Sequence, residues 1–101
     1  MVNKEDVLNA LRNVYDPEIP VNIVDLGLIY NVEVDEEKGI VNIRMTLTAP
    51  GCPIGFYILN DVESVVKELE GVKDVHVELT YDPPWNPDMI SEGAKKELGY
   101  S

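Results

Sequence analysis

The sequence is poor in the residues that build metal sites and staples: it has one cysteine and one histidine among 101 residues. A lone cysteine rules out an intramolecular disulfide. One cysteine and one histidine cannot supply four soft ligands, so no closed metal centre is expected from a single chain. Basic residues are also scarce. Lys and Arg number 8 against 19 Asp and Glu, which gives a formal net charge of -11. Binding to nucleic acid needs clustered cations, and anionic membrane surfaces repel such a chain, so neither partner is expected. No apolar run approaches the roughly 20 residues that span a bilayer. Met1 to Asp6 has no apolar signal core and no basic lead-in. A reducing cytosol is the expected compartment, with Cys52 a free thiol. There is no phosphate-binding glycine loop, no nucleophile elbow, no repeat and no low-complexity segment.

Apolar residues make up 45% and charged residues 27%, values ordinary for a folded domain. We read residues 1–101 as a single domain with one core. Asn3 can cap a helix, with Asp6 in the capping-box position. Val7, Leu8, Leu11, Val14 and Tyr15 follow at helical spacing, and Asp16-Pro17 ends that helix. The segment from Asp16 to Gly27 has no clean period and reads as an ordered loop. Tyr30, Val32 and Val34 alternate with polar residues in a first strand, and Glu36 to Gly39 forms a hairpin turn. Val41, Ile43, Met45 and Leu47 alternate with Asn42, Arg44, Thr46 and Thr48 in a second strand. A second helix carries Ile54, Ile58, Val62, Val65, Val66 and Leu69, with Pro53 at its first position and Gly71 beyond its end. Val75, Val77, Leu79 and Tyr81 define a third strand. Asn86 and Pro87 start a last helix through Ile90, Ala94 and Leu98.

The order is α-β-β-α-β-α. Every strand has one polar face, so the helices are expected to cover one side of the sheet only. The expected architecture is an α+β, two-layer α/β sandwich with a three-stranded sheet.

Cys52 lies just before the second helix, where unpaired N–H groups and the helix dipole stabilise a thiolate. Such a sulfur can attack an electrophile or bind a soft metal. A lone cysteine is otherwise a small buried hydrophobe. Asp16, Glu18 and Asp25 form an acidic loop; residues of this kind between prolines serve as turn and cap residues or as ligands. Trp85 sits on the stiff Pro83-Pro84 support and either closes the core or lines a site. His76 shares strand parity with Asp74 and Glu78 and should face solvent, inert.

Four stretches taken together carry a resemblance: Asp16-Pro17-Glu18, Val24-Asp25-Leu26-Gly27-Leu28-Ile29-Tyr30, Thr46-Leu47-Thr48-Ala49-Pro50-Gly51-Cys52-Pro53, and Pro83-Pro84-Trp85-Asn86-Pro87 with Met89 and Ser91. The series resembles the metal–sulfur cluster biosynthetic family, which includes bacterial SufT and PaaD, and it spans nearly the whole chain. The resemblance implies an α-β-β-α-β-α sandwich and a part in maturing iron–sulfur proteins as an assembly, carrier or targeting factor. It maps the family's reactive cysteine onto Cys52 and its acidic residues onto Asp16, Glu18 and Asp25. Thr48 and Trp85 match the threonine of the cysteine loop and the tryptophan of the last motif.

On this reading no cofactor is stably bound. An iron–sulfur cluster or iron is held transiently by Cys52, with Thr48 and Trp85 beside it. The expected partners are the assembly machinery and apo client proteins, and a homodimer would double the thiols. Two other readings stand beside it. One is an enzyme with Cys52 as nucleophile and Asp16, Glu18 or Asp25 as base. The other is an interaction module whose cysteine is structural.

Overall fold

The structure is a computed structural model that describes residues 2–16, 21–47 and 55–99. Helix α1 (Lys4–Leu11) opens on the expected capping box: Asn3 Oδ1 accepts from the Asp6 amide at 2.9 Å, and Asp6 Oδ2 accepts from the Asn3 amide at 3.1 Å. Strand β1 (Ile29–Asp35) runs antiparallel to β2 (Ile40–Met45) through the 36–39 turn. Helix α2 (Gly55–Lys67) then crosses over, so that β3 (Asp74–Leu79) returns parallel to β2. The sheet order is β1-β2-β3. A short 3-10 turn (Pro87–Met89) and helix α3 (Glu92–Leu98) complete the chain.

The two faces of the sheet divide as the alternation demands. Val32, Val41, Ile43, Met45 and Val75 are buried, and they join Val7, Leu11, Ile58, Val62 and Val66 from the helices in one core. Asn31, Glu33, Asn42, Arg44, His76 and Glu78 lie exposed on the other face. The α+β sandwich, its element order and its one-sided helical layer therefore stand as the sequence implies.

Several boundaries move. Helix α1 ends at Leu11, a turn before the expected stop at Asp16. The Asn13 and Val14 amides bond back to the Ala10 and Leu11 carbonyls, tightening the last turn, and the Val14 carbonyl accepts instead from Ile23 at 2.9 Å. Val14 still enters the core, while Tyr15 pairs with Asn22 in an isolated bridge and stays exposed. Tyr30 leaves the alternation because the register shifts between Ile29 and Asn31; this bulge frees its ring for a distant contact. Thr46, assigned by parity to the polar side, is fully buried. β3 stops at Leu79, and Tyr81 is exposed. The last helix is two pieces: Asn86 caps the 3-10 turn, Ile90 is extended, and Ser91 caps α3. Pro53 and Ile54, expected to begin the second helix, lie outside the described residues.

Candidate functional site

The sheet register roots the three motif-bearing segments at one end. Ile29 at the start of β1 and Leu79 at the end of β3 both flank Met45, the last residue of β2. One residue on, the Thr46 amide donates to the Leu28 carbonyl at 2.9 Å, and the Thr80 amide donates to the Met45 carbonyl at 2.9 Å. The turn carrying Asp25 enters the sheet here. The segment leading to Cys52 and the segment leading to Trp85 leave it here.

The Asp25 segment, read from sequence as a loop without period, is a closed turn with caps at both ends. Asn22 Oδ1 accepts from the Val24 and Asp25 amides at 3.1 and 3.0 Å. At the far end the Leu28 amide bonds to the Ile23 carbonyl and the Gly27 amide to the Val24 carbonyl. That paired closure is a Schellman arrangement, with Gly27 in the left-handed conformation at φ 81°. The signal was available in the sequence as an Asn cap followed five residues later by Gly. Asp25 is half-buried. Its Oδ2 accepts from Asn22 Nδ2 at 2.7 Å, and its Oδ1 has no partner among the described residues.

Residues 83–91 clamp this turn. Trp85 Nε1 donates to the Leu26 carbonyl at 2.6 Å, and the Ser91 amide donates to the Asp25 carbonyl at 2.7 Å. Both carbonyls close a helical turn and need outside donors. Gly27 meets Met89 so closely that a Cβ there would lie 2.4 Å from the Met89 carbonyl oxygen. Tyr30, released by the bulge, donates its hydroxyl to the Pro83 carbonyl at 2.7 Å and lies 3.7 Å from Met89 Sδ. Trp85 thus holds the Asp25 turn through its ring N–H. Beside the clamp a cavity of about 630 Å³ is bounded by Gly27, Tyr30, Arg44, Asp82, Pro83 and Met89.

Of the residues singled out from sequence, Asp25 and Trp85 come together on this turn. Asp16 is buried, and its amide donates to the Val21 carbonyl at 3.4 Å. Glu18, Thr48 and Cys52 lie outside the described residues. Among the described residues no group of three or more His, Cys, Asp or Glu could hold a metal ion. His76 is on the open face as expected, 3.2 Å from Asp74 Oδ2. Sequence reasoning missed Thr46, which is completely buried with no hydrogen-bond partner for Oγ1 among the described residues. No described helix is long and apolar enough to cross a membrane.

Residues 4–79 match the family described as iron–sulfur cluster assembly protein, and the chain belongs to that family. It is 55% identical, over 96% of its length and 91% of the relative's, to a Porphyromonas gingivalis protein named Fe-S protein maturation auxiliary factor. It is 45% identical, over 95% of its length and 93% of the relative's, to the Bacillus subtilis Fe-S protein maturation auxiliary factor YitW. A crystal structure of a domain of unknown function from Bacillus anthracis superposes with a TM-score of 0.89 at 36% identity, covering 97% of this chain and 92% of that one. The clamping segment lies beyond the residues matched by the family, yet the Porphyromonas and Bacillus subtilis relatives extend across most of the chain.

Proposed function

We propose that this protein is an accessory factor in the maturation of iron–sulfur proteins and that Cys52 is its working group. The observation that carries the reading is the rooting of the three motif segments at one end of the sheet, within a family of iron–sulfur assembly proteins. The cluster or iron is cargo, ligated through the Cys52 thiolate. One thiolate leaves the remaining iron sites to a donor, a client or a second copy of the chain, which suits hand-over by ligand exchange and not storage. Asp25, with one carboxylate oxygen uncommitted among the described residues, is the group of the acidic set best supported for contact with the cargo or an incoming thiol. Asp16, Glu18 and Thr48 complete the proposed site, and Trp85 keeps the Asp25 turn in place. The partners are assembly proteins and apo clients. The work is carriage and delivery, without turnover of a small-molecule substrate.

Complementation tests this. A deletion strain carrying the Cys52→Ala protein should lose the activity of several iron–sulfur enzymes, as the deletion itself does, while the purified variant keeps its melting temperature within a few degrees. Full complementation by a folded Cys52→Ala protein would remove the thiol from the mechanism.

A further inference from the structure

A second cleft lies away from the Asp25 turn, on the helical layer. It encloses about 750 Å³ between α1 and α2. Asp6, Asn9, Ala10 and Asn13 line one wall at the spacing of a single helix face. Val65, Glu68, Leu69 and Glu70 line the other. Ala10, Val65 and Leu69 make an apolar floor, and among the described lining residues the rim carries carboxylates from Asp6, Glu68 and Glu70 and no Lys, Arg or His.

We infer that this cleft docks a basic amphipathic helix of a partner protein. The floor asks for apolar side chains recurring along one face, and the rim asks for cations beside them. The occupant is a helix because no described lining residue belongs to a strand: Asp6, Asn9 and Ala10 lie on α1, Val65 on α2, and Asn13, Glu68, Leu69 and Glu70 in the turns that follow them. An extended peptide would find no ladder to join and would leave its N–H and C=O groups unmet, whereas a helix satisfies its own. A second copy of the chain is disfavoured by charge. Each copy carries -11, and a two-fold pairing through this cleft would set Asp6, Glu68 and Glu70 against themselves. The inference stands apart from the role of Cys52, whose residues it does not use.

The test uses a synthetic leucine–lysine amphipathic helix of about 18 residues, titrated at physiological salt so that diffuse attraction to an acidic protein is screened. Binding is measured to the full chain, to the Glu68→Lys, Glu70→Lys double variant, and to Glu36→Lys, Glu37→Lys. The second pair makes the same charge change on the exposed β1–β2 turn. The rim pair should weaken binding about tenfold or more and the turn pair less than about threefold. Amide shifts on adding the peptide should fall on α1 and α2. Equal losses from the two pairs, or shifts on the open sheet face, would overturn the proposal. So would sedimentation showing that the chain fills the cleft with its own copy.

Discussion

Replacing Gly27 with alanine puts the clamp to the most direct test, because every part of its cost can be traced. Gly27 sits at φ 81°, where a non-glycine residue costs about 1–2 kcal/mol. The loss of glycine's freedom in the unfolded chain returns about 0.4–1 kcal/mol. The larger effect is steric. The new Cβ would lie 2.4 Å from the Met89 carbonyl oxygen and 2.9 Å from Met89 Cβ, so the 89–91 backbone must retreat. That movement breaks the 2.7 Å bond from the Ser91 amide to the Asp25 carbonyl and opens the Tyr30 contact with Met89. Each lost hydrogen bond costs about 1 kcal/mol. The total is about 1–3.5 kcal/mol, a large share of the 5–15 kcal/mol typical of a domain. In a chain of this size that lowers Tm by about 5–25 °C. Gly93→Ala is the matched control. It lies early in α3 with nothing within 4 Å of the new Cβ, and it should leave stability unchanged or raised by up to about 1 kcal/mol. The assay is thermal unfolding followed by circular dichroism. A Gly27→Ala protein melting within about 3 °C of the wild type would refute the close approach on which the clamp depends.

Trp85→Phe removes the donor to the Leu26 carbonyl and should cost about 1–3 kcal/mol in urea unfolding, with faster hydrogen exchange at the Leu26 and Leu28 amides. The change deletes the only tryptophan, so the five tyrosines or circular dichroism must follow it; unchanged exchange would count against the clamp. Thr46→Val replaces a buried hydroxyl that has no partner among the described residues, and it should raise stability by about 1 kcal/mol. A more stable Thr46→Val protein that fails to complement would assign the hydroxyl a working role; a less stable one would show that it is satisfied in solution. His76→Ala removes an exposed ring whose partner among the described residues is exposed Asp74, and it should alter neither complementation nor melting beyond the range of a surface ion pair, about 0–1 kcal/mol.

Features set by neighbours in the chain could be read without a structure, and those set by distant contacts could not. The Asn3–Asp6 capping box is an exchange within three residues, so its sequence signal suffices; at the last helix the Asn86-Pro87 start signal belongs to the 3-10 turn, and it masked the Ser91 cap that opens α3. The end of α1 is different. Val14 and Tyr15 continue the apolar period past Leu11, and only the bond from Ile23, nine residues on, shows where the helix yields. Tyr30 fits strand alternation perfectly well, yet its hydroxyl is drawn to Pro83, 53 residues away. Thr46 has the parity of a solvent residue and the burial of a core one; it lies one residue past the end of β2, where its amide bonds to the Leu28 carbonyl.

The roles of Asp25 and Trp85 divide along the same line. An acidic residue in a proline-bordered loop and a tryptophan after two prolines both invite assignment as groups that touch a ligand. The geometry separates them. The Trp85 ring N–H is committed to a main-chain carbonyl and so holds the turn that carries Asp25, whereas the Asp25 carboxylate keeps Oδ1 without a partner among the described residues. Both carbonyls at the end of the Asp25 turn are answered from residues 85 and 91. An unclamped turn would expose them and let Asp25 drift. A segment outside the family-matched residues therefore governs the position of an acid inside them. The same sequence of the first 79 residues, fused to a different C-terminal stretch, would need another pair of donors at those two carbonyls to hold the same geometry.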